Sequence, residues 1–154
     1  MIRKLLLPVA LFSFAASAHA ENRVVKCNTY RARHAPVPEG PALVANVARS
    51  MRPIPLDAVQ FTDKKLTRQM VVESLFSRPT DSGTTEVVAR FVNCTSETLA
   101  VRVRVSFLDA DQAPTEPTST WRTQFIPARG TGVYSERSIA ARGVTNYLIE
   151  LAGN

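Results

Sequence analysis

The stretch FVNCTSETLAVRVRVSFLDADQAP, residues 91–114, decides the fold class. Its second half, Leu99 to Leu108, alternates too regularly for a helix. Val101, Val103, Val105 and Phe107 fall on one face of an extended chain, and Arg102, Arg104 and Ser106 on the other. CTSET has the composition of a turn, so the stretch reads as a hairpin with Cys94 beside the turn.

The same grammar continues outward. TTEVVARFVN (84–93) supplies the hairpin partner, with Val87, Ala89 and Phe91 on one face and Glu86, Val88 and Arg90 on the other. MVVESLF (70–76) precedes it and stops at the turn cluster RPTDSGT. A further strand is expected at 56–61, ahead of Thr62-Asp63. Downstream, DADQAPTEPTS is a loop broken by Pro114 and Pro117, and short strands are expected at 120–126, 132–136 and 145–151. Some seven strands with regular turns and no long amphipathic helix imply an all-β fold, an immunoglobulin-like antiparallel β-sandwich. Its expected core is Val87, Phe91, Val101, Val103, Val105, Phe107, Trp121, Phe125, Tyr147 and Ile149. Arg90, Arg102, Arg104 and Arg122 then share an outer face if their strands are neighbours in one sheet.

The N-terminus speaks to compartment. MIRKLLLPVALFSFAASAHA (1–20) has a basic start at Arg3 and Lys4, an apolar run, and the small-x-small pattern Ala18-His19-Ala20, as a cleaved export signal requires. The run is too short to span a bilayer of about 30 Å as a helix. Lys26 stands where lipoprotein processing needs a small residue before Cys27, so lipidation is not expected. Removing Arg3 and Lys4 takes the 19 basic residues to 17 against 13 acids, a net charge of +4. That modest charge suits weak contact with polyanions, not a nucleic-acid binder. Periplasmic localisation follows.

Three segments result: the signal (1–20), an arm (21–55) rich in proline from Pro36 to Pro55, and the sandwich (56–154). HAPVPEGP reads as an extended connector. Residues 42–51 fit a short helix or a strand equally well. With two cysteines in an oxidising compartment, Cys27 and Cys94 have one intramolecular pairing, which would tie the arm to the domain.

Chemistry is sparse. Asp109 and Asp111 suggest a calcium loop, but Ala113, Pro114 and Thr120 occupy the positions where an EF-hand needs an oxygen ligand, Gly and Glu. A turn in which the aspartates bond local backbone is the better reading. His34, the one histidine after residue 20, lies in the arm, and no HExxH, GxSxG, P-loop or GxGxxG occurs. Asn93-Cys94-Thr95 matches a glycosylation sequon. No catalytic residue, cofactor or metal site is assigned, and no enzyme is expected.

The residues that carry a family likeness are Phe-Val-Asn (91–93), Phe-Leu-Asp-Ala-Asp (107–111), Trp121, Ile126-Pro127-Ala128 and Tyr-Leu-Ile-Glu (147–150). From about Pro53 onward the chain resembles the YcfL-like family of small bacterial envelope proteins. The resemblance implies a periplasmic β-sandwich and transfers no catalytic residue. Family members are often lipoproteins, and in that respect this chain departs.

The sequence thus favours a non-enzymatic periplasmic interaction module, accessory to an envelope or secretion assembly, that docks through its arm or an open sheet edge. The alternative is a binder of anionic envelope polymers or lipids through Arg90, Arg102, Arg104 and Arg122, since guanidinium grips phosphate and carboxylate bidentately. Glutamate at Arg102 and Arg104 is expected to leave folding nearly intact.

Overall fold

The computed structural model describes residues 27–37, 39–44 and 53–154. The export signal expected over 1–20 lies outside them. Among the described residues nine strands form: β1 (Ala42–Leu43), β2 (Ile54–Pro55), β3 (Ala58–Phe61), β4 (Met70–Pro79), β5 (Thr85–Asn93), β6 (Leu99–Leu108), β7 (Arg122–Ile126), β8 (Thr131–Arg137) and β9 (Asn146–Gly153). A short helix, α1 (Thr29–Arg33), precedes them among the described residues.

Seven of the strands make the sandwich, with a four-stranded sheet ordered β3-β9-β6-β7 facing a three-stranded sheet ordered β4-β5-β8. The layering is that of an immunoglobulin-like sandwich, while the strand order within the sheets is its own. One pair departs from the antiparallel rule: β3 runs parallel to β9, Val59 opposite Ile149. The alternating apolar residues of β5, β6 and β9 fill the space between the sheets, where Val87, Phe91, Val101, Val103, Val105, Ile149 and Leu151 have no exposed surface. Burying side chains of this size stabilises the fold by about 1.5–3 kcal/mol each.

Two expectations need correction. Residues 91–108 are not a hairpin, because β5 and β6 belong to opposite sheets. The CTSET segment is an arch from one sheet to the other, and Asn93 holds it. The fully buried Asn93 amide donates from Nδ2 to the carbonyls of Glu97 (2.7 Å), Ile126 (3.0 Å) and Pro127 (3.0 Å). Its Oδ1 accepts from the Thr95 backbone N–H (2.9 Å). With its amide nitrogen so engaged and its surface gone, the sequon asparagine of the folded chain is closed to glycan attachment.

The second correction concerns parity. Trp121 and Phe125 are not core residues; Phe125 is 70% exposed. Within β7 it is Ile126 that enters the core, fully buried, and by the two-residue period Arg122 and Gln124 share its inner side. Polar side chains fit there because β7 is an edge strand. Arg122 Nη2 reaches Glu136 on β8 at 3.2 Å, and Gln124 Nε2 donates to the Val133 carbonyl at 3.0 Å. These links stitch the two sheets along the β7/β8 side.

The arm is tied down twice. Cys27 and Cys94 form a disulfide. Further along, β1 pairs with β2, and Leu43 and Ile54 pack with Leu56 over Leu108 and Leu148, a second small core on the outer face of the four-stranded sheet. Leu43 and its neighbour Ala42 are thus strand, and residues 45–52 lie outside the described residues.

Candidate functional site: an arginine and tryptophan platform

The four arginines singled out from the sequence do not share a face. Arg90, on β5, lies on the three-stranded sheet, where it pairs with Glu73. Glu73 sits at the irregularity between Val72 and Ser74, where the register of β4 against β5 shifts. Arg122 turns inward to Glu136. Only Arg102 and Arg104 stand together, on the outer face of the four-stranded sheet, two residues apart on β6.

Their partners come from the neighbouring strands. On β9, Glu150 is directly opposite Arg104, and the pair is bidentate, with Nε to Oε2 at 2.6 Å and Nη2 to Oε1 at 3.1 Å. The bond to Glu150 holds the Arg104 guanidinium above its ordinary pKa. Arg102 donates from Nε to the Gly153 carbonyl at 3.1 Å. Among the described residues Arg102 has no carboxylate partner.

Trp121 joins the two. The Cζ atoms of Arg104 and Arg102 lie 4.4 Å and 5.4 Å from its ring centroid. The long loop after β6 puts it there by running back along its own strand. Ser119 donates its N–H to the Val105 carbonyl and receives the Val105 N–H on Oγ, both at 2.9 Å, while Thr118 and Ser106 share a hydroxyl bond at 3.0 Å. Phe125, opposite Ala100, continues the platform along β7. Proline-marked loop composition gave no sign that this segment would zip onto β6, so Trp121 was legible only as an aromatic in an alternating strand.

Asp109 and His34 stand apart from this platform. Asp109 Oδ1 caps the turn by accepting the N–H groups of Asp111 (3.0 Å) and Ala113 (2.9 Å). His34 is exposed at the end of α1, its Nδ1 2.8 Å from the Tyr30 carbonyl. Among the described residues no group of three or more His, Cys, Asp or Glu side chains could hold a metal ion. On the three-stranded sheet, hydrogen bonds from Arg78 and Ser135 hold the Glu86 carboxyl below its usual range.

A concavity lies along one lateral side of the sandwich. A cleft of about 870 Å³ opens between β3 and β4, the edge strands of opposite sheets, under residues 32–37 of the arm. Its walls are mainly apolar.

No family model matches the sequence, and no curated protein does. Among solved structures, the chain is similar to Campylobacter jejuni cj0090, with a TM-score of 0.50 and 16% identity over 64% of this chain and 99% of that one. A DUF1425 family member from Shewanella sp. pv-4 superposes with a TM-score of 0.49 and 8% identity, over 73% of this chain and 94% of that one. The cj0090 likeness shows a shared fold: this chain is built as a small bacterial β-sandwich protein is built.

Proposed function

We propose that this protein is a non-enzymatic interaction module of the bacterial periplasm, exported by its N-terminal signal and related to the YcfL-like envelope proteins. Its docking surface is the platform of Arg102, Arg104, Trp121 and Phe125. The observation that carries this reading is the stacking of two guanidiniums on Trp121 beside an exposed Phe125. Tryptophan and arginine dominate the centres of protein interfaces, and here Glu150 already fixes one arginine, which lowers the ordering cost of binding. The partner surface complementary to it carries an apolar patch for Phe125 and a carboxylate for Arg102.

This revises the docking mode. An arm bonded at Cys27 and folded over Leu148 is part of the body, so the sheet face takes the role first given to the arm. The polyanion reading loses weight for the same structural reason: Arg90, Arg104 and Arg122 each face a carboxylate, and they point in three directions.

The test is photo-crosslinking in intact cells, with the crosslinker placed at Thr123 in the platform and, separately, at Ser74 on the opposite sheet. The proposal expects one defined protein adduct from Thr123, abolished by Trp121→Ala and absent from Ser74. Equal adducts from both positions, or none from Thr123, would refute it. Salt-sensitive retention on lipopolysaccharide without an adduct would return the weight to polyanion binding.

A further inference from the structure

We propose that the cleft between β3 and β4 is a binding site for the acyl chain of a single-chain anionic amphiphile, a fatty acid or a lysophospholipid. The site is distinct from the platform and does not rest on it. The two lateral sides of the sandwich differ. Along β7 and β8 the sheets are joined by Arg122–Glu136 and by Gln124 to Val133. Along β3 and β4 the sheets leave space, and the core extends into it as the partly buried side chains of Val59, Phe61, Val72 and Leu75.

The arm roofs this space without filling it. Residues 32–37 lie over the cleft, contributing small or rigid side chains such as Ala32, Ala35 and Pro36, and no residue of α1 is buried. The disulfide at Cys27 anchors that roof to the arch at Cys94. A volume of about 870 Å³ falls within the range of small-molecule sites, roughly 300–1,000 Å³. An apolar trough of this shape takes hydrocarbon, since a polar ligand would lose its water with little to bond.

Charge selects the head group. Arg33, His34 and Lys64 line the cleft and are exposed. The one carboxylate among the lining residues, Asp57, is held by the fold: its Oδ1 accepts the Tyr147 N–H at 3.0 Å. Two cations, Arg33 and Lys64, thus stand against that one fixed carboxylate, so the mouth is net positive over an apolar floor, the complement of an acyl chain with an anionic end.

The experiment titrates the purified, disulfide-intact protein with a fluorescent polyene fatty acid, below its micelle-forming concentration. Lysophosphatidylglycerol and a nonionic maltoside of matched chain length then compete for the site. The proposal expects saturable one-to-one binding, displaced by the lysolipid better than by the maltoside. Lys64→Glu, an exposed change that leaves the fold alone, weakens the fatty acid about two- to fivefold, the worth of one exposed ion pair, and leaves the maltoside unchanged. Leu75→Trp, which fills the trough, abolishes all binding; Leu75→Met, which keeps its volume, restores it. The tighter of the two anionic ligands, the fatty acid by direct titration or the lysolipid by its displacement constant, identifies the source of the head group. Absence of saturable binding, or binding indifferent to Leu75→Trp, overturns the proposal. So does a concentration-dependent dimer that Leu75→Trp dissolves, since the occupant would then be a second copy of the chain.

Discussion

The Arg104 guanidinium stacks on the Trp121 ring, 4.4 Å from Cζ to centroid, while its nitrogens grip both oxygens of Glu150. One side chain from each of three neighbouring segments thus meets at a single point on the sheet face. Trp121 is the only tryptophan in the chain, so its fluorescence reports this contact directly. Trp121→Ala is expected to cost about 1–2 kcal/mol in stability, the loss of a partly exposed cation–π stack and its packing, while removing partner binding entirely. Urea unfolding followed by circular dichroism measures the first, and the crosslink yield the second. Arg102→Glu should be nearly silent in stability. Arg104→Glu should not, because it sets a second carboxylate against the half-buried Glu150.

Asn93 decides where the chain goes after β5. Its side chain satisfies three carbonyls of a buried arch, two of them from residues more than thirty positions away. Asn93→Ala strips a donor from all three, leaving Glu97 only the Thr95 hydroxyl and Pro127 only the Gly130 N–H, and takes from Thr95 the acceptor of its own N–H. It is expected to destabilise the protein by on the order of 3 kcal/mol. The urea midpoint should fall with no change in slope. A loss under about 0.5 kcal/mol would mean that water replaces the amide and that the arch is held elsewhere.

The reach of that one amide explains what the sequence could and could not tell. The interior strands β5, β6 and β9 were legible because each has one face wholly buried, which forces a clean two-residue period. The edge strand β7 obeys a weaker rule. Its inner side opens toward solvent at Arg122 and Gln124, so polar residues stand where a central strand would need apolar ones, and Trp121 and Phe125 misled the parity. Nothing local distinguishes a five-residue hairpin turn from an arch between sheets; the choice lies in Asn93 meeting Ile126 and Pro127. The disulfide was legible by counting, since two cysteines permit one pairing. The cleft was not, because it exists only where edges of two different sheets meet a segment of the arm.

The Cys27–Cys94 bond spans 67 residues, and a loop of that length constrains the unfolded chain by about 4 kcal/mol in the chain-entropy account. Reduction, or the Cys27→Ser/Cys94→Ser variant, is expected to lower the urea midpoint accordingly while the β-sheet circular dichroism signal persists in dilute buffer. It should also lift the roof of the cleft, so amphiphile affinity should fall more than overall stability alone explains. Equal midpoints with and without reductant would show that β1 and β2 hold the arm by themselves.

Alkaline pH probes the core from inside. Tyr134 is almost fully buried on β8, and burial, opposing ionisation, pushes its phenol up to about 12 from the usual 10.0. The sign follows from which state ionises first. Below pH 10 the phenol is neutral in both states, and its contribution is fully present. Between pH 10 and 12 only the unfolded chain ionises, so stability falls as pH rises through the folded value. The loss is about 2 kcal/mol once solvent screening of a hydroxyl near the sheet edge is allowed for. Tyr134→Phe removes this titration: its stability should match the parent within about 1 kcal/mol at pH 7 and exceed it at pH 11.5. A parent protein whose stability is flat from pH 9 to 12, or a variant that declines in parallel with it, would place the Tyr134 hydroxyl in contact with water and not in the core.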